Sequence, residues 1–179
     1  MKKTIYMDYN ATTPLHGQAA DAMVAAMSCV GNPSSVHRCG REARRLIEDA
    51  RETIAKEFNV SSAWVIFTSG GTEADALALN GLDIDHVFTS SIEHSAVLSA
   101  RPDMTLIRVN QQGVIDMAHL EELLQSTTDG RVLVSVMAAN NETGALQPVK
   151  EITELVHKYN GYVHCDGVQL VKKSDIDLS

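Results

Sequence analysis

The sequence predicts an α/β fold, a mainly parallel sheet with helices on both faces. From Trp64 onward, short apolar runs alternate with segments of helical period. The apolar runs are nearly continuous, as strands covered on both faces require, instead of alternating apolar with polar. A chain of 179 residues, 44% of them hydrophobic, is long enough to bury a real core.

The elements follow in order. Residues 15–28 place Ala19, Ala22, Met23, Ala26 and Met27 at helical spacing behind Pro14, a residue suited to a helix entrance. After the loop "CVGNPSSVHRCG", the segment from Arg41 to Phe58 carries the stripe Ala43, Leu46, Ile47, Ala50, Ile54 and Phe58, with charged residues on its other face. Then come "WVIFT" as strand, "TEADALALNGL" as helix, "HVFTS" as strand and "EHSAVLSA" as a short helix. "TLIRV" (strand), "DMAHLEELLQS" (helix), "RVLVSVMA" (strand), "PVKEITELVHKY" (helix) and "YVHCD" (strand) complete the series. No repeat or Pro/Gly/Ser-rich linker divides the chain.

Composition excludes several classes of function. Fifteen basic against 23 acidic residues give a formal charge of −8, and no basic stripe interleaved with aromatics is present to track a phosphate backbone, so nucleic acid is not an expected partner. No apolar run approaches the ~20 residues of a membrane span, and "MKKTIYMDYNATTP" lacks the apolar core of a signal peptide, so the expected location is cytoplasmic. Cys29, Cys39 and Cys165 have no C-x-x-C spacing and point to neither a disulfide framework nor a zinc site. Cys165, inside a strand, is expected to be a small buried hydrophobe.

In open parallel sheets, ligands bind at the strands' carboxyl ends. "SGGTEA" follows "WVIFT": Gly70 and Gly71 permit close backbone approach, and Thr72 at a helix start suits a phosphate, or else serves as an ordinary N-cap. The spacing is neither G-x-G-x-x-G nor a Walker pattern, which disfavours a dinucleotide or nucleoside triphosphate. "SIEHSAV" brings His94, either a structural hydrogen-bonder or a ring that stacks on an aromatic ligand and shuttles protons. "ANNETG" brings Asn140 and Asn141, either turn residues or neutral donors. "YVHCDGVQ" ends in Asp166 and Gln169. A phosphate cradle, an imidazole, an amide and a carboxylate converging on one cleft describe a site for pyridoxal 5′-phosphate, with Asp166 pairing the ring nitrogen to keep the ring an electron sink.

With these residues assembled, the chain resembles the cysteine desulfurases of the class V aminotransferase branch of pyridoxal-phosphate enzymes. The resemblance rests on "YMDYNATTPL", "GNPSSVHRCGREAR", "FTSGGTEA", "SIEHSAVL", "NNETGALQPV" and "HCDGVQ", in order over essentially the whole chain. It implies that Gly71 and Thr72 bind the cofactor phosphate, that His94 stacks on the ring and assists proton transfer, that Asn141 and Gln169 bond the ring's hydroxyl side, and that Asp166 holds the ring nitrogen. It also implies a large domain of fold type I, with residues 1–14 as an amino-terminal segment and 15–179 as part of the cofactor-binding domain. L-cysteine is the implied substrate and a homodimer the implied state, with the "NPSSVH" loop near the dimer interface. An iron–sulfur scaffold is the implied kind of sulfur acceptor. Selenocysteine lyase fits the same motifs.

In the family, the Schiff-base lysine, the persulfide-forming cysteine and the substrate-binding arginine lie beyond the Asp-x-x-Gln pair. Lys172 and Lys173 follow Gln169 too closely to replace that lysine, and none of the three cysteines occupies the family cysteine's loop. The chain is therefore expected to be the amino-terminal half of such an enzyme, inactive alone, with an open sheet edge. A non-catalytic fragment acting as a dimerisation or binding partner is the other reading.

Overall fold

A computed structural model describes residues 5–171 and residue 173. Lys172 and the last residues to Ser179, which entered the expectations above, lie outside the described residues. The chain divides into two compact units, one running to Phe67 and the other beginning at Thr68.

The first unit holds two helices and a 3-10 turn. Helix α1 (Gly17–Met27) lies within the expected segment but buries none of its residues: Met23, Val24 and Met27 are all exposed. Helix α2 (Arg38–Glu57) starts three residues earlier than its stripe predicts, because the loop before it caps it: His37 Nδ1 accepts the Gly40 N–H at 3.4 Å. Gly40 is required there. A Cβ at this position would lie 2.2 Å from the Ser35 carbonyl oxygen, so the loop "NPSSVH" packs directly on the first turn of the helix.

The helix stops at Asn59, whose φ of 51° is left-handed. The N–H groups of Asn59 and Val60 return to the carbonyls of Lys56 and Ala55 at 3.3 and 2.9 Å, closing a Schellman motif. Of this apolar stripe, Ala43 is buried and Phe58 half-buried, while Leu46, Ile47, Ala50 and Ile54 are exposed, since the described residues of this unit form no sheet to cover them.

The expected strand "WVIFT" is not formed. Trp64 closes the 3-10 turn Ser62–Trp64, and the following residues are extended but pair with no strand among the described residues. The Val65 carbonyl accepts instead from the Arg51 guanidinium, which also lies 4.8 Å over the Phe67 ring.

The second unit is a three-layer α/β/α arrangement. Its sheet contains β1 (His86–Ser90), β2 (Thr105–Ile107), β3 (Val132–Met137) and β4 (Tyr162–Asp166), all parallel in the order β2-β1-β3-β4. Four helices of the second unit accompany or join them: α3 (Gly71–Asn80), α4 (Ser95–Leu98), α5 (Met117–Ser126) and α6 (Val149–Lys158). Strand alternation splits the core in two. On one face Val87 and Leu133 meet Leu79 of α3 and Val97 of α4. On the other, Phe88, Val134 and Val136 meet Leu120 and Leu124 of α5 and Ile152, Leu155 and Val156 of α6.

Strand β3 is buried throughout, as its nearly continuous apolar run predicts. Strand β4 is an edge among the described residues and is only half-covered, so Cys165 is exposed and not the buried hydrophobe expected. "TLIRV" contributes only three residues to the sheet, because Val109 leaves to form an antiparallel bridge with Ile115.

Candidate functional site

The winding of the sheet reverses between β1 and β3: β2 lies on one side of β1, and β3 and β4 on the other. Such a reversal opens a crevice at the carboxyl ends of the two central strands. All the site residues expected from the sequence belong to this unit and come from the carboxyl ends of its strands or the start of α3.

Helix α3 begins at Gly71 with Gly70 as its cap, a residue with no side chain to bond the first-turn amides, and the Thr68 hydroxyl donates to the Gly70 carbonyl at 3.0 Å. Thr72 is thus inside the first turn and is not the N-cap, which leaves first-turn N–H groups that have no intrahelical acceptor. A Cβ on Gly70 or Gly71 would meet nothing within 4 Å, so the approach to those amides is open. Glu73 turns back to accept the Ser69 N–H at 2.6 Å, and hydrogen bonding by Ser69 holds its carboxyl below the usual range.

His94 is the N-cap of α4: its Nδ1 accepts the Ala96 N–H at 3.1 Å, which leaves its proton on Nε2. Thr72 and His94, with Ala76, Ser95 and Ser99, line one cavity of about 350 Å³. A second concavity lies between α5 and α6, on the opposite face of the sheet.

Asn140 and Asn141 differ in role. The Asn140 side chain is consumed by its own turn: Oδ1 accepts the N–H groups of Glu142 and Thr143 and the Thr143 hydroxyl, and Nδ2 donates to the Ile92 carbonyl at 2.9 Å. Asn141 is half-buried beside it and donates to Glu142 at 3.0 Å. Asp166 closes β4, and its carbonyl accepts the Ala138 N–H at 2.8 Å. Its Oδ1 accepts the Val168 N–H at 3.0 Å, while Oδ2 has no hydrogen-bond partner among the described residues. Gln169 sits in the turn beyond and accepts from the Lys173 ammonium.

Four residues that the motif reading passed over complete the polar face between the sheet and α3. Ser135 and His164 are paired in the β3–β4 register, and the Ser135 hydroxyl meets His164 Nδ1 at 2.9 Å. His164 Nε2 lies 3.7 Å from Oδ1 of the buried Asp75. Burial lowers the His164 pKa, favouring the neutral ring. Burial, then the Asp166 charge, raises that of Asp75, while His94 opposes. Glu93, only 6% exposed, is pushed up to about 7 by burial, with Asp166 and Asp75 adding to the effect and hydrogen bonds from Ser90 and Met137 resisting it.

Each of the four left a signal in the sequence. Asp75 stands four residues before Leu79 on the buried stripe of α3, and Ser135 is the polar residue in an otherwise apolar strand. His164 shares a strand face with Asp166, and Glu93 adjoins His94. Among the described residues no group of three His, Cys, Asp or Glu side chains could hold a metal ion. The acidic surroundings favour a cationic ligand group instead.

The aminotransferase class-V family model matches residues 5–179. The chain is 40% identical over 185 residues to cysteine desulfurase IscS of Dictyoglomus turgidum, covering 96% of this chain and 46% of that protein. It is 38% identical over 190 residues to an IscS-like cysteine desulfurase of Mycobacterium tuberculosis, covering 97% and 48%. Among solved structures, a NifS-like protein from Rickettsia africae matches with a TM-score of 0.84 at 37% identity, over 91% of this chain and 47% of its own. SspA, solved in complex with cysteine, matches with a TM-score of 0.87 at 31% identity, over 98% and 54%. The chain spans about half the length of the curated relatives it matches.

Proposed function

Because the chain belongs to the class-V aminotransferase family, we propose that it forms the cofactor-binding part of a pyridoxal-phosphate-dependent cysteine desulfurase. Pyridoxal phosphate is the cofactor of this family. The observation that supports the reading is that Thr72, in the open first turn of α3, and His94 line one cavity, while the Asp166 carboxylate, with one oxygen uncommitted among the described residues, acts on the same Asp75 as His94. This donor set fits the group. The first-turn amides of α3 and the Thr72 hydroxyl suit a dianionic phosphate. A carboxylate among acidic neighbours suits a protonated ring nitrogen.

When bound, pyridoxal phosphate supplies an electron sink for the substrate's α-carbon. The chain's own residues do the rest. Gly71 and Thr72 hold the phosphate, and Asp166 accepts from the ring nitrogen and keeps it charged. Asn141 and Gln169 bond the ring's hydroxyl side. His94, fixed through Nδ1, offers a ring face for stacking and holds a transferable proton at Nε2. On this reading residues 15–179 belong to the large domain. L-cysteine is the substrate of the whole protein, which acts as a cytoplasmic homodimer and passes sulfur to an acceptor such as an iron–sulfur scaffold.

The direct test is a titration of the chain with pyridoxal phosphate, followed by visible absorbance, for the wild type and Asp166→Ala. Saturable binding in the wild type is expected, weakened about ten- to a hundredfold in the variant, the worth of one charge-assisted hydrogen bond at about 1.5–3 kcal/mol. Equal affinities would remove Asp166 from its assigned role. No binding by either protein would sink the cofactor reading.

A further inference from the structure

Glu93 joins parts of the site that the fold otherwise leaves separate. It lies in the loop between β1 and His94, and its Oε1 accepts two hydrogen bonds. One comes from the Ser90 hydroxyl at the end of β1, the other from the Met137 N–H at the end of β3, at 3.0 Å. Met137 is the β3 residue in register with Asp166, and the next N–H, that of Ala138, donates to the Asp166 carbonyl. One residue before Glu93, the Ile92 carbonyl takes the Asn140 amide at 2.9 Å. The strand ends that carry His94, Asn141 and Asp166 are thus tied together across the crevice, and Glu93 is the titratable member of the tie.

Its protonation state follows from the geometry. Glu93 Oε2 is buried without a hydrogen-bond partner among the described residues. Because Oε1 already accepts twice, a proton on Oε2 removes the charge that burial penalises. The charges around it favour the same state: Asp75 from α3 and Asp166 from β4 are both acidic, the Ser90 hydroxyl and the Met137 amide oppose them, and the Cys165 thiol of β4 and His94 in its own loop complete the surroundings.

We propose that Glu93 is a positioning residue of this site: as a neutral acid it clamps the loop before His94 to the end of β3, and its ionisation releases the clamp. The clamp sets the spacing of His94, Asn141 and Asp166. Its purpose rests on the cofactor reading above, whereas its existence does not.

Hydrogen–deuterium exchange on the unliganded chain, expressed as protection of residues 137–141, tests the clamp at pH 6 and pH 8. Opening lets the carboxyl return from about 7 to its ordinary 4.5, so wild-type protection falls about tenfold between the two pH values. Glu93→Gln keeps an acceptor for Met137 without a charge and holds its protection at both. Glu93→Ala, if it folds, is unprotected at both and binds pyridoxal phosphate more weakly, with Glu93→Gln restoring affinity. Identical pH responses in the wild type and Glu93→Gln would overturn the proposal. The expected exchange pattern with no pyridoxal phosphate bound by the wild type would support the clamp and sink the cofactor reading instead.

Discussion

Ser135 shows how much of the site is held by single buried side chains. It is fully buried in β3, its hydroxyl meets His164 Nδ1, and its carbonyl accepts the Thr89 hydroxyl at 3.1 Å. Ser135→Ala leaves the inner nitrogen of a half-buried imidazole without its partner, at a cost of about 1 kcal/mol. Chemical denaturation should show that loss as a lower midpoint at unchanged slope; an unchanged midpoint would mean that His164 repairs the bond elsewhere. The residues proposed to touch the ligand were those the sequence made conspicuous, because Gly71, Thr72, His94, Asn141, Asp166 and Gln169 stand at or just beyond the ends of apolar runs. The residues behind them were not. Asp75, Ser135 and His164 act from inside helix and strand faces, which periodicity alone assigns to the core, and Glu93 acts from the loop before His94. Only the cross-strand register and the packing of α3 on the sheet disclose that these four face one another.

Elements were legible wherever a segment finds its partners within its own unit. Strand "HVFTS" and the helices α5 and α6 lie where their periods put them, each burying its apolar stripe against a neighbour. "WVIFT" has the composition of a strand, but β structure is a pairing property, and no described strand lies beside it. Helix α2 erred in the opposite sense: its beginning was set by a loop rather than by its stripe. Gly40→Ala tests that loop. The added methyl would collide with the Ser35 and Asn32 carbonyl oxygens, 2.2 and 2.8 Å away, and backbone atoms cannot yield as a side-chain tip can. Faster amide exchange at residues 31–41, with β1 and β3 unaffected, is the expected outcome. Unaltered exchange there would show that the loop has room to shift.

At the scale of the whole molecule, the balance of buried and exposed apolar surface separates the two units. The second owns both core clusters, whereas the first exposes Met27, Val30, Val36, Trp64 and Ile66, at 77, 85, 88, 75 and 69%. Exposed large apolar side chains in this number favour association. The chain should therefore sediment above its 19.4 kDa mass, and the association should persist at high salt, since screening weakens charge contacts and not apolar ones. A single species at 19.4 kDa over a wide concentration range would contradict this. No helix among the described residues is long and apolar enough to cross a membrane.

The order β2-β1-β3-β4 carries a kinetic consequence. The two strands that frame the crevice cannot pair as a hairpin, and Thr89 finds Ser135 only across 46 positions of chain. The entropy of closing that loop must be lost before a single β1–β3 bond returns anything, the condition that makes parallel sheets slow to fold. Until it closes, the apolar runs "HVFTS" and "RVLVSVM" are unpaired edges open to other chains. The site is thus among the last features the protein acquires, and the interval before it forms is when a newly made chain is most exposed to aggregation.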